Sequence, residues 1–153
     1  MSNKGIFFTV YTIASLVVRM FFAKSSDKYG RIPVLIISSV LLAVSMLILG
    51  YANNFTALMI ASILFGFSWG FNTPTLTAWT VDLSDERYRG RAMATMYIAL
   101  EAGIGIGAVA AGKLYQGKVE NLPYSYIIAA VLSLVSLVYL VILRKNQKKH
   151  LVA

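Results

Sequence analysis

Long apolar runs separated by short polar stretches dominate the chain. Residues 5–23 carry one charge, Arg19, and residues 32–81 contain no Asp, Glu, Lys, Arg or His. A chargeless run of that length is too long for one element of a soluble core, whereas two membrane helices of about 20 residues each and a turn account for it. The polar stretch DKYGRIP, residues 27–33, interrupts the pattern between the first two runs. The pattern predicts an integral membrane protein.

Five candidate spans follow from the same pattern. They cover residues 5–23, 33–51, 55–81, 92–112 and 123–143. None alternates apolar and polar residues with a period of two, so a membrane β-barrel is not expected. Helices satisfy their backbone hydrogen bonds internally, as hydrocarbon requires. We therefore predict an all-α, polytopic transmembrane helix bundle, in which a proline inside the third span introduces a kink.

Composition narrows the classes of function. Only 13% of the residues are charged, against about 25% in soluble domains. The net charge of +8 comes from basic residues at the ends of apolar runs, which is typical of membrane-helix flanks rather than of a nucleic-acid-binding module. The chain has no Cys, and its one His is His150 in the polar tail. We expect no enzyme activity, no metal site, no cofactor and no nucleic-acid partner.

The basic residues also predict the orientation. The side that carries ten of them is assigned to the cytoplasm, because cytoplasmic loops are rich in Lys and Arg. These ten are Lys24, Lys28, Arg31, Arg87, Arg89, Arg91, Arg144, Lys145, Lys148 and Lys149, against Lys4, Lys113 and Lys118 on the other side. The N-terminus is then outside and the C-terminus inside. No cleavage site follows the first apolar run, so we predict a retained helix, and an external N-terminus of this kind usually follows an earlier span.

The polar stretch between the first two spans allows a simple structural interpretation. Asp27 can cap a helix or pair with Arg31, and Gly30 permits a turn that a Cβ would resist. On this interpretation the segment is a short polar hairpin that holds two helices.

The order of the residues in this loop resembles a known signature. The cytoplasmic loop of the major facilitator superfamily carries Gly-x-x-x-Asp-Arg/Lys-x-Gly-Arg-Arg/Lys. Four positions match and two do not: Asp27, Lys28, Gly30 and Arg31 agree, whereas Ala23 and Ile32 replace the first Gly and the last basic residue. The weaker form is usual for the second copy of the signature, between helices 8 and 9.

A second segment, residues 66–112, resembles helices 10 and 11 of bacterial drug- and metallophore-exporting members of the family. The matching features are Gly66, Gly70, Pro74, Asp82, the Arg89-Gly90-Arg91 run and the carboxylate of Glu101 two residues before Gly103. The resemblance implies that the chain is the C-terminal half, helices 8–12, with helices 1–7 absent.

The resemblance also implies a function. It implies a proton-coupled exporter of small molecules that works by alternating access in the bacterial inner membrane. Its partners would be membrane lipid, a small-molecule substrate, protons and the missing N-terminal half. The alternative is a truncated membrane protein with an interaction or structural role that no longer transports.

Roles for two groups of residues come from the resemblance. Asp27, Lys28, Gly30 and Arg31 with Asp82 would form a cytoplasmic charge cluster that holds one conformation. The alternative for Asp82 is helix capping, which we also expect for Ser84, Asp85 and Glu86. Asn72 and Thr73 would line the substrate path, or would instead satisfy the backbone that Pro74 interrupts.

Two charges lie well inside predicted spans. Glu101 lies ten residues after Arg91, about 15 Å into the membrane. Arg19 lies about 6 Å from the cytoplasmic end, where a long side chain can extend to the headgroups. Charge inside a membrane is costly and points to function. We predict that Glu101 is a proton-coupling or substrate-binding carboxylate and that Arg19 is its charge or substrate partner; the alternative is a protonated Glu101 that only stabilises packing.

Two pairs of glycines have the spacing of close helix contacts. Gly66 and Gly70, like Gly103 and Gly107, fit small-xxx-small packing. The run from Gly103 to Ala108 loosely matches a dinucleotide fingerprint, but no strand precedes it, so we reject a nucleotide site.

Overall fold

A computed structural model describes residues 4–22 and 25–150 of the chain. The described residues form six α-helices and two single-turn 3₁₀ helices, and no strand, which confirms the all-α prediction. The helices are α1 (Lys4–Phe22), α2 (Ser25–Tyr29), α3 (Arg31–Gly50), α4 (Phe55–Asp82), α5 (Arg89–Tyr115) and α6 (Leu122–His150). All except α2 are long and apolar enough to cross a membrane. The chain is therefore a multi-pass membrane protein.

The helix ends lie beyond most of the predicted span limits. The second predicted span begins at residue 33 but α3 begins at Arg31, and the last ends at residue 143 but α6 continues to His150. Hydropathy marks the part of a helix that suits hydrocarbon, whereas Lys, Arg and Gln are good helix formers that continue the same helix into water. Ala23, the predicted end of the first span, lies outside the described residues.

Four of the long helices form a row in the order α1, α4, α3, α6. Each packs along its neighbour in the row, whereas α5 makes only short contacts with α4 and α6. Ile32, Leu35 and Leu140 form a buried cluster where α3 meets α6, with Leu76 and Trp79 of α4 against it. No residue of α5 is buried. The bundle is therefore tight in the row and open around α5.

Buried serines link neighbouring helices of the row. Their hydroxyls donate to backbone carbonyls on another helix, which joins helices where lipid offers no competing water. The bonds run from Ser45 to the Ala61 carbonyl (2.9 Å), from Ser62 to Phe7 (3.3 Å), from Ser68 to Ser38 (2.8 Å) and from Ser133 to Ser39 (2.8 Å).

The two glycine pairs differ in their surroundings. A Cβ added to Gly66 would lie 2.6 Å from the Tyr11 carbonyl oxygen, and one on Gly70 would lie 2.9 Å from the Val18 Cβ. The α1–α4 crossing therefore depends on the absence of side chains there. Around Gly103 and Gly107, no atom of another described helix lies within 4 Å of such a Cβ, so a packing role for this second pair stays a prediction.

Candidate functional site

The loop signature lies at one end of the bundle, which we call the charged end: α2, the start of α3, the end of α4 and the end of α6. The short helix α2 stops at Gly30, whose φ of +91° lies in the left-handed region. Residues with a Cβ rarely adopt that conformation, so glycine permits the turn from α2 into α3. The turn places Arg31 as the first residue of α3, between α2 and the end of α4.

Arg31 is the centre of the charged end. Its Nε donates to Asp82 Oδ2 at 2.7 Å, and its NH1 donates to Ser26 Oγ at 2.7 Å and to Asp27 Oδ1. The Arg31 side chain is 20% exposed, whereas those of Asp27 and Asp82 are 60% and 48% exposed. One guanidinium at the start of α3 thus joins the preceding helix α2 to the end of α4, which lies 51 residues further along the chain.

The structure brings together four of the five residues predicted for the charge cluster. Asp27, Arg31 and Asp82 are in contact, and Gly30 makes the turn that allows it. Lys28 is exposed, and its ammonium lies 5.2 Å from the centre of the Tyr29 ring. Sequence reasoning missed Ser26, whose hydroxyl accepts from Arg31; the only available signal was a hydroxyl within the signature loop.

The residues after Asp82 behave differently from one another. Asp85 Oδ1 accepts from the Arg87 backbone N–H at 2.8 Å and caps the 3₁₀ turn Glu86–Tyr88, as expected. Ser84 does not cap a helix start: its hydroxyl donates to the Val81 carbonyl at 2.9 Å. That prediction was wrong because a serine directly after a helix can satisfy one of the last free carbonyls instead.

Asn72 and Thr73 are half-buried in α4, next to Pro74. Both line a small cavity between α4 and α5, and Asn72 also lines a larger cavity of about 490 Å³ between α3, α4 and α6. The Thr73 hydroxyl donates to the Trp69 carbonyl at 3.3 Å. These residues line cavities, as the first interpretation expects. Pro74 leaves the carbonyl four residues earlier, that of Gly70, without its helical partner, and the Thr73 hydroxyl donates to the carbonyl before it instead.

Arg19 and Glu101 lie apart in the structure. Both are exposed, Arg19 on α1 and Glu101 on α5. Neither has an ion-pair partner within residues 4–22 and 25–150. The two helices are not neighbours in the bundle. No contact among the described residues therefore reflects the roles predicted for Arg19 and Glu101, and these roles stay predictions.

Comparison with known proteins agrees with the loop signature and the helical architecture. The family model described as Major Facilitator Superfamily matches residues 2–152. The chain is similar to Multidrug resistance protein 2 of Bacillus subtilis (strain 168), with 26% identity over 145 residues that cover 95% of this chain and 36% of that protein. It is also similar to Quinolone resistance protein NorA of Staphylococcus aureus (strain Mu50 / ATCC 700699), with 22% identity over 148 residues that cover 97% of this chain and 37% of that protein.

These relatives are much longer than the chain, which spans little more than a third of their length. The family match, by contrast, extends over almost every residue of the chain. The signature around Arg31, the five membrane-spanning helices and the match together show that the chain belongs to the Major Facilitator Superfamily.

Proposed function

We propose that the chain is the C-terminal part, helices 8–12, of a proton-coupled exporter of small molecules that works by alternating access. The observation that carries this proposal is the guanidinium of Arg31, which joins α2 to the end of α4 through Asp27 and Asp82. The proposed site is the bacterial plasma membrane, with the N-terminus outside and the charged end in the cytoplasm. The N-terminal half of the transporter is the proposed partner.

The ion pairs at Arg31 have the strength that a conformational switch requires. Exposed ion pairs contribute about 0.2–1 kcal/mol each, and both carboxylates of this cluster are about half exposed or more. States that interconvert during a transport cycle differ by a few kcal/mol. A cluster of this size stabilises one state without locking the protein in it.

Other residues would handle substrate and protons in this scheme. Asn72 and Thr73 both line the small cavity between α4 and α5 and would face the substrate path there. Glu101 would carry the proton, because a carboxyl group in the membrane interior can load a proton on one side and lose it on the other. Arg19 would bind a charged substrate or act as a counter-charge. The names of the relatives, which include multidrug and quinolone resistance, favour export of drug-like molecules.

A second function is a membrane protein with an interaction role that no longer transports. The observation that favours it is α5, which has no buried residue in this chain and so offers an open surface. The genomic sequence next to the gene distinguishes the transporter from the interaction protein. An adjacent reading frame that encodes helices 1–7 supports the transporter, and the absence of such a frame supports the interaction protein.

The experiment that tests the proposed cluster compares Asp82→Asn with Glu86→Gln in the proposed longer polypeptide, in which helices 1–7 precede these residues. Asp82→Asn removes the carboxylate that Arg31 binds at 2.7 Å. Glu86→Gln removes an equal charge at the same end of the bundle, but the one partner of Glu86 within the described residues is Arg89, three residues on. We expect Asp82→Asn to lower the rate of drug efflux about tenfold at equal expression and Glu86→Gln to leave it unchanged. Equal rates for the two variants would contradict the role of the cluster.

A further inference from the structure

A crevice opens at the charged end between the start of α3, the end of α4 and the end of α6. It exists because α4 and α6 both pack along α3 but make little contact with each other among the described residues. Its volume is about 450 Å³. Its lining includes four apolar residues, Ile32, Pro33, Trp79 and Leu83, and four polar residues, which we call its rim: Arg31, Asp82, Arg144 and Gln147.

The two arginines of this crevice differ in their partners. Arg31 already binds two carboxylates, so its charge is compensated. Arg144 is exposed and forms no ion pair within the described part of the chain. Gln147 follows three residues later on α6 and lines the same crevice. The rim thus offers one uncompensated guanidinium with an amide beside it.

An apolar cavity lies next to the crevice. A second cavity, of about 490 Å³, lies between the same three helices, and Trp79 lines both. Leucines form most of the apolar wall of the second cavity: Leu35, Leu42, Leu76, Leu132 and Leu140. Trp79 therefore borders both the crevice that holds the Arg144 guanidinium and a leucine-lined cavity between the same helices.

We propose that this crevice binds a glycerophospholipid. The phosphate pairs with the Arg144 guanidinium and accepts from the Gln147 amide, and one acyl chain lies along Trp79 toward the leucine-lined cavity. Basic pockets between membrane helices bind lipid head groups, and a guanidinium matches a phosphate with two parallel hydrogen bonds. A transmembrane helix could fill the apolar part of the crevice, but an apolar helix has no anionic group to pair with the Arg144 guanidinium.

The test is native mass spectrometry of the 153-residue chain in detergent, titrated with phosphatidylglycerol. Arg144→Gln is compared with Lys145→Gln, which removes the same charge from the neighbouring position but does not line the crevice. Both positions are exposed near the end of α6, so neither change disturbs the bundle. We expect Arg144→Gln to weaken binding of the first lipid about tenfold and Gln147→Ala about threefold, with Lys145→Gln unchanged.

Separate titrations with phosphatidylethanolamine and inorganic phosphate identify the source of the phosphate. Retention of either lipid that depends on Arg144, with no retention of inorganic phosphate, supports the site. Equal weakening by Arg144→Gln and Lys145→Gln would show diffuse attraction to a basic surface and overturn the proposal. Retention of inorganic phosphate alone would overturn it too. So would loss of lipid binding in the longer polypeptide, because a helix would then occupy the cleft.

Discussion

Gly66 sets how closely α1 and α4 approach, which makes it a sensitive position in the bundle. A methyl group there would lie 2.6 Å from the Tyr11 carbonyl oxygen, within helix backbone that cannot yield easily. Overpacking of this kind costs about 1–3 kcal/mol. We expect Gly66→Ala to lower the temperature at which the detergent-solubilised chain loses its monodisperse peak in size-exclusion chromatography.

Gly103→Ala is the matched control for that measurement. It makes the same chemical change in another long helix, where nothing described lies within 4 Å, and alanine is the better helix former. We expect no loss of thermal stability in the isolated chain. If both variants melt at the same temperature as the unchanged chain, the close α1–α4 approach is not a determinant of stability.

The proposed coupling of transport to a proton gradient is tested most directly at Glu101. An ionised carboxylate at the centre of a membrane helix costs about 2.5–3.5 kcal/mol on insertion scales. Gln keeps the shape and hydrogen bonding of the side chain but carries no proton. In the longer polypeptide we expect Glu101→Gln to express normally and to lose efflux driven by a pH gradient.

Glu120→Gln serves as the control, because Glu120 lies in the 3₁₀ turn between α5 and α6, outside the spans. Its efflux rate and response to the pH gradient should equal those of the unchanged protein. Unchanged efflux in Glu101→Gln would instead leave Glu101 with a packing role only.

The sequence predicted the five long helices, but it did not predict where each helix ends or which helices pack against each other. Five apolar runs predicted five spanning helices, because hydrocarbon leaves a chain few other structures. Pairing with Arg31 was one of two roles that the sequence allowed for Asp27, and the structure shows that pair. The Arg31–Asp82 contact joins residues 51 positions apart, and only the family resemblance indicated it.

The serine bonds between helices left no readable signal in the sequence. Ser45, Ser62 and Ser68 resemble the other serines of the apolar runs, and only the register of helix against helix places a carbonyl within reach. The same holds for the row α1, α4, α3, α6, because loop lengths do not say which helices become neighbours.

The direction in which each helix crosses the membrane is also predicted and can be tested. Ten basic residues against three predict that the loop between α3 and α4 is external and the end of α6 is cytoplasmic. In the longer polypeptide, a phosphatase reporter at Asn53 should be active and one after Lys149 inactive, with the converse for a fluorescent-protein reporter. The opposite pattern would overturn the proposed helix numbering and the assignment of the charged end together.

At the scale of the whole molecule, the open surface around α5 limits what the chain can do alone. All 27 residues of α5 are at least partly exposed, and the chain spans little more than a third of the length of its relatives. The family's transport path runs between two halves. We therefore expect the purified chain, reconstituted in liposomes with an imposed pH gradient, to show no quinolone movement above that of empty liposomes.

On the proposed C-terminal-part assignment, a polypeptide that joins helices 1–7 to these residues should transport under the same conditions. Co-reconstitution of the chain with a separately expressed segment carrying helices 1–7 should restore part of that rate, because the exposed side of α5 would then be covered. A chain with Glu101→Gln in the same mixture provides the control for leak, since it should assemble but not couple. Robust transport by the chain alone would contradict the C-terminal-part assignment and point to a small transporter that completes its path by binding further copies of itself.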